Sequence, residues 1–327
     1  MRIPAFMLSS RMPGVAVVIS LLLATPSFSI AEESPAAPTA EVQLPVVWKV
    51  GDKVNYKVLK TREQTGRQFS PDPSSTPLEI EVLESREDGY LIGWTYGKVE
   101  LPKGLKDVAS PEVEQLGELF RGFQFRLQLA HPPAIVGVEN WQELQGKIRK
   151  VMKTMSDLRG ENDAEAAAVT GQIMTMFDTK EKVTALATRD AQMFFFAVGG
   201  NYSAETYEYE DVLPNPFGGE PFPCKGQLRL KSLDEQQAVI SWSQACEPEA
   251  TLKIIKKIVT DMATRLNKPI KDVEQQIGNF AVTDEGEFRI DRNTGWPIEI
   301  KHKRSVRSGT NRRVDILAYS REPIEVN

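Results

Sequence analysis

The sequence predicts an α+β fold of duplicated, curved antiparallel sheets, built from hairpin-helix-hairpin units and packed against helices. Three observations carry this expectation. The stretch Cys224 to Cys246 reads as one β-hairpin, a stretch 148 residues earlier repeats its pattern (Ile80 for Leu228, Trp94 for Trp242), and a run of helical periodicity lies between the two.

Gln227 to Lys231 alternates polar with apolar residues and sets Leu228 and Leu230 on one face. Gln237 to Trp242 returns with Ile240 and Trp242, the period-two signal of a half-buried strand pair. A turn centred on Glu235 opposes Leu228 to Trp242, Leu230 to Ile240 and Cys224 to Cys246, with all six side chains on the buried side. Directly opposed residues have the short Cβ separation that a disulfide needs, so one register satisfies the apolar pattern and the cysteines together. A Cys224–Cys246 bridge closes a loop of roughly 23 residues and contributes about 3 kcal/mol in the loop-entropy treatment.

Taken in order, residues 1–31 read as a secretory signal peptide. Arg2 and Arg11 give a positive start, Val15 to Ala24 an apolar centre, and Ser29-Ile30-Ala31 a small-x-small cleavage site. The apolar run is shorter than the about 20 residues that cross a bilayer, so no transmembrane span is expected after the signal is removed. The expected location is periplasmic or secreted, with the cut after Ala31, where two cysteines stay oxidised. Removal takes away two arginines and no acids, and the net charge of −5 becomes −5 − 2 = −7. That acidity speaks against nucleic acid as a partner.

Residues 32–45, rich in Pro, Ala and Glu, read as a flexible leader. A first α+β half with a helical insertion is expected over 46–198 and a second over 199–327. In the first half a strand covers Lys53 to Lys60, with Val54, Tyr56 and Val58 alternating, and Arg62 to Pro77 reads as a polar loop. Pro77 to Trp94 is a hairpin turning at Arg86-Glu87-Asp88-Gly89. Its counterparts of the two cysteines are Thr76 and Lys98, so only the second copy is stapled. Ser110-Pro111-Glu112 opens a short helix. Phe123, Phe125, Leu127 and Leu129 then alternate, turn at His131-Pro132-Pro133 and return through Ile135 to Val138.

Helical spacing marks Asn140 to Leu158, Ala164 to Phe177 and Thr179 to Val198, the last ending at Gly199-Gly200. The Met and Phe residues there form a stripe suited to pack on a sheet. In the second half a helix carries Leu252, Ile255, Ile258, Val259 and Met262. Phe288 and Ile290 lead into the turn Asn293-Thr294-Gly295, the chain returns through Ile298 and Ile300, and a last strand covers Arg313 to Tyr319.

Chemistry is sparse. The chain has only two histidines, His131 and His302, both in or beside hairpins, and both read as structural. The metal, nucleophile and phosphate-loop patterns HExxH, GxSxG, GxGxxG and GxxxxGK[ST] do not occur in the sequence. With both cysteines in the staple, a thiol nucleophile is not expected. Glu208 and Glu210 share one face of a strand whose other face carries Tyr207 and Tyr209, the pattern of a solvated strand. Lys301, Lys303, Arg304, Arg307, Arg312 and Arg313 stand out against the acidic whole as a candidate patch for an anionic partner. No catalytic, cofactor-binding or metal-binding residue is assigned, and no cofactor is expected.

Trp48-Lys49-Val50-Gly51-Asp52 before a strand and hairpin, with Gly137-Val138-Glu139-Asn140-Trp141 after the phenylalanine strand, resembles a family of exported bacterial proteins with a domain of unknown function. The expected architecture is similar, as a fold, to the outer-membrane lipoprotein carriers, whose half-barrels hold acyl chains. The resulting expectation is an exported, non-catalytic binding or envelope-maintenance protein, with an apolar or lipid molecule or an envelope protein as partner. The alternatives are a carboxylate-dependent hydrolase of cell-envelope glycans and a structural partner in an envelope complex.

Overall fold

A computed structural model describes residues 41–65, 73–100, 121–159, 178–213, 215, 220–265, 278 and 280–323. Strands β1 (Val42–Gln43), β2 (Lys53–Gln64), β3 (Ser74–Arg86), β4 (Gly89–Tyr96), β5 (Gln124–Ala130) and β6 (Ile135–Val138) come first. Helices α1 (Trp141–Arg159), α2 (Lys180–Ala187) and α3 (Arg189–Phe195) follow, then β7 (Asn201–Tyr202), β8 (Tyr207–Leu213), β9 (Phe222–Leu233) and β10 (Gln237–Cys246). Helix α4 (Pro248–Arg265) precedes β11 (Phe280–Asp291), β12 (Pro297–Ser308) and β13 (Asn311–Arg321). The structure is mostly antiparallel sheet with few helices.

Eleven strands form one sheet in the order β6-β5-β4-β3-β2-β13-β12-β11-β10-β9-β8, while β1 and β7 make a small pair of their own. Both expected halves therefore contribute to one sheet rather than to two. The physical reason is the antiparallel pairing of β2 with β13, which sets Val58 opposite Tyr319 and Arg62 opposite Asp315. Each of those strands would otherwise leave a row of unpaired backbone groups at an edge. The true edges are short or acidic instead: β6 has four residues, and β8 carries Glu208, Glu210 and Asp211.

The sheet is concave on the face that buries its aromatic side chains. Trp94 on β4 and Tyr319 on β13 are three strand steps apart, about 14 Å across a flat sheet. Their ring centroids lie 6.3 Å apart, so the inward side chains converge. Helix α3 and the residue after it fill the hollow. Phe194 packs edge-on against Tyr56, Trp94 and Tyr319, and Phe196 meets Trp242 and Phe288. The helix expected over Thr179 to Val198 is two helices broken at Thr188, the first capped by the Thr179 hydroxyl accepting from Lys182 N.

The hairpin β9–β10 pairs in the expected register, with Leu228 opposite Trp242, Leu230 opposite Ile240 and Cys224 opposite Cys246. The cysteines are joined by a disulfide with an S–S distance of 2.05 Å. Hairpin β3–β4 sets Ile80 opposite Trp94 and Val82 opposite Ile92. Both hairpins then slip register at the same place, where Glu84 meets Leu91 in one and Ser232 meets Val239 in the other. Helix α4 lays Leu252, Ile255 and Val259 against Phe222, Cys224 and Phe280, making a second apolar cluster apart from the aromatic one.

Two expectations differ. Of the polar loop expected over 62–77, the described residues are largely ladder, since β2 runs on to Gln64 and β3 starts at Ser74, with Lys60 opposite Ser74. The last residues of the leader expected over 32–45 are docked: β1 pairs with β7, and Leu44 is buried with its N–H donating to the Gly200 carbonyl. Beyond them Trp48 stacks on Trp296 at 4.1 Å. The turn at 293–295 needs its glycine, because Gly295 has φ +80° and a Cβ there would sit 2.2 Å from the Pro45 carbonyl oxygen. The signal peptide and the helices expected at Ser110 and over Ala164 to Phe177 lie outside the described residues.

Replacing Cys224 and Cys246 together by serine is expected to lower unfolding stability by about 3 kcal/mol, measured by denaturant titration under oxidising conditions. The midpoint should fall with little change in slope.

Candidate functional site

Alternation along the strands that cross the concave face places apolar residues at both ends and polar ones between. On β10 the inward positions run Trp242, Gln244, Cys246; on β11, Phe288, Gly286, Asp284, Val282; on β12, Ile300, His302, Arg304, Val306. The first of each series belongs to the aromatic cluster, and the last belongs to, or packs on, the cluster under α4. A polar seam thus separates the two cores.

Asp284 is the centre of the seam. Its Oδ1 accepts from Arg304 Nε at 2.7 Å and its Oδ2 from Arg304 Nη2 at 2.9 Å, and His302 Nε2 lies 2.8 Å from Oδ1. All three side chains are buried. Burial pushes the Asp284 carboxyl up, but the Arg304 guanidinium and His302 outweigh it and hold the group well below the usual carboxylate range. The His302 ring also lies 5.9 Å from that of Trp242, whose Nε1 donates to the Tyr209 hydroxyl at 2.6 Å. Tyr209 crosses bare backbone at Gly226, where a Cβ would come within 2.3 Å of its ring, and burial pushes its hydroxyl up to about 12.

The seam continues across β13 and β2 toward solvent. Asp315 Oδ1 accepts from Arg62 Nε at 2.6 Å, and Arg313 Nε lies 2.7 Å from Asp315 Oδ2. At the start of α3, Asp190 is paired with Lys60 and approached by the Tyr96 hydroxyl at 3.4 Å, while its carbonyl accepts from the Tyr319 hydroxyl at 3.0 Å. Burial raises the Asp190 carboxyl, and the Lys60 ammonium more than offsets that. Burial also lifts Tyr96 and Tyr319 well above the ordinary phenol. Lys60 and Arg62 are about half exposed, so this end is the mouth.

The six residues of the expected basic patch do not form one surface. Strand alternation turns Lys301, Lys303 and Arg307 to the convex face and Arg304 to the concave one, and it separates Arg313 from Arg312 in the same way. On the convex face Lys301 pairs with Glu299 and Lys303 with Glu285, a neutralised ladder rather than a basic patch. Cys224 and Cys246 sit in the cluster under α4, away from the seam. His302, read as a structural residue of the basic run, is buried on Asp284, and His131 packs edge-on against Tyr90 at the β5–β6 turn. Glu208 and Glu210 are exposed on β8, as a solvated strand face.

Asp284, Arg189, Asp190, Asp315, Lys60 and Arg62 were not singled out from sequence. For Asp284 a signal exists: it occupies an inward position in the alternation Phe280, Val282, Asp284, Gly286, Phe288. Among the described residues, no group of three or more His, Cys, Asp or Glu side chains comes together as a metal site would. A cleft of about 410 Å³ opens beside Tyr96, between Pro77, Lys98, Arg121 and Glu322, and its rim carries both signs of charge.

No family model and no curated protein matches the chain. Among solved structures it is similar to one of lipovitellin, reported for its lipid–protein interactions, with 8% sequence identity and a TM-score of 0.35. The alignment covers 83% of this chain and 25% of that one, so the chain spans about a quarter of its length.

Asp284→Asn removes the carboxylate charge that faces the buried Arg304 guanidinium and is expected to cost about 3–5 kcal/mol at neutral pH. Because the folded carboxyl titrates below its unfolded value, the stability it contributes is fully present above the unfolded pKa of about 3.9 and drains as pH falls through the folded one. The gap between wild type and variant, followed by chemical denaturation from pH 7 to pH 2, should be constant down to about pH 4 and narrow below it.

Proposed function

We propose that this is an exported, non-catalytic binding or envelope-maintenance protein whose ligand meets the mouth of the concave face. The observation that carries this reading is the inward ion network from Asp284 to Lys60, charges that neither apolar cluster requires. Buried charges are costly even when paired, and their concentration in a concave surface is the ordinary mark of a site.

The same network speaks for binding over hydrolysis. A glycan hydrolase needs one carboxyl held up as an acid beside a second carboxylate. Asp284 and Asp190 are both held down, ionised by neighbouring cations, which suits an electrostatic scaffold and not a proton donor. The apolar part of the concave face is in contact with the rings of Phe194, Phe195 and Phe196, so a lipid ligand would present its charged head to the network. Export is supported by the signal-like residues 1–31 and by an oxidised cysteine pair. The common register and common slip of hairpins β3–β4 and β9–β10 support their origin as copies of one unit.

Native mass spectrometry of the mature chain purified from its own envelope fraction, run beside an assay of cell-wall oligosaccharide turnover, tests this function. A retained small molecule without turnover is expected. Turnover that disappears in Asp190→Asn or Glu208→Gln would replace the binding function with the hydrolase.

A further inference from the structure

At the mouth the charges do not balance. Lys60, Arg62, Arg189 and Arg313 face two carboxylates among the described residues, Asp190 and Asp315, an excess of 4 − 2 = 2 positive charges in a chain whose net charge is −5. Two guanidinium groups there also have donors to spare. Arg189, half-buried at the start of α3, makes no hydrogen bond or ion pair among the described residues. Arg313 Nε is buried 2.7 Å from Asp315 Oδ2, an ion pair in which it shares that carboxylate with Arg62. Burial, then the like charge of Arg304, pulls the Arg189 guanidinium down to about 10, so its charge is held there at a cost that the nearby aspartates do not remove.

We propose that this mouth binds a dianionic oxyanion, the phosphate monoester group of a small ligand or lipid head, with Arg189 and Arg313 as its principal donors and Lys60 and Arg62 at the open side. A dianion matches the excess of two charges, and the planar fork of arginine suits two oxygens of such a group at once. A carboxylate ligand would neutralise only half of the excess. The site rests on the binding function proposed above and names the chemistry of its ligand.

The test uses the mature chain, with inorganic phosphate as probe and acetate at matched ionic strength as control, read as thermal stabilisation. Phosphate is expected to raise the midpoint saturably and acetate not to. Arg189→Met, which strands no partner, should raise the midpoint without phosphate and weaken the phosphate response about tenfold, the scale of one charge-assisted contact. Lys301→Met removes a charge from the convex face and should leave the response unchanged. Flotation with phosphatidylcholine vesicles containing phosphatidic acid separates the sources: capture assigns a lipid monoester, and no capture beside a phosphate response assigns a soluble one. Equal phosphate responses in wild type and Arg189→Met, or none in wild type, overturn the site. A neutral molecule retained in native mass spectrometry together with no phosphate response would leave the binding function standing and remove this site alone.

Discussion

The pairing of β2 with β13 is the constraint on which the rest of the structure depends. Each half of the chain is by itself a meander, and a meander ends in open edges. By joining strands at opposite ends of the chain, this one ladder turns two meanders into an eleven-stranded sheet. Its register is pinned twice along the concave face: Val58 opposes Tyr319 within the aromatic cluster, and Arg62 opposes Asp315 as an ion pair. A slip of β13 by one residue would turn Tyr319 and Asp315 to the wrong face. Tyr56 ties the join further, its hydroxyl donating to the Pro297 carbonyl at the start of β12.

The curvature and the seam follow from that join. Bringing β4 and β13 into one concave face lets Trp94 and Tyr319 close on Phe194, and the helix that carries Phe194 begins with Arg189 and Asp190. The rings therefore place the charges. Asp190 meets Lys60 because Phe194 seats α3 over β2, and Arg189 is left beside Arg304 and Arg313 for the same reason. A fold needs the aromatic packing but gains little from cations gathered at its rim, and that surplus is what points to a ligand.

Local structure was legible in the sequence where side chains alternate strongly. The β9–β10 register could be read because two cysteines and four apolar residues had to agree on it, and β3–β4 because it repeats the pattern. The β2–β13 ladder could not, since its partners are about 260 residues apart (Val58 and Tyr319) and nothing local marks them. The basic run from Lys301 to Arg313 was visible as composition, but its meaning depended on applying the strand period to it: alternate residues go to opposite faces, and only Arg304 and Arg313 reach the seam. Arg189 and Asp190 were hidden for a different reason. Their neighbours come from β2, β4, β12 and β13, so a helix start without a local motif acquired its surroundings from tertiary packing alone.

Native-state amide hydrogen exchange tests the central join most directly, because cooperative units of a fold open at separate free energies. If β2 and β13 hold one sheet together, the amides of their ladder exchange only through global unfolding, with the same protection as those of β9 and β10. Exchange of the β2–β13 ladder through an opening well below the global one, with each half still protected, would mean that the two halves fold as separate sheets.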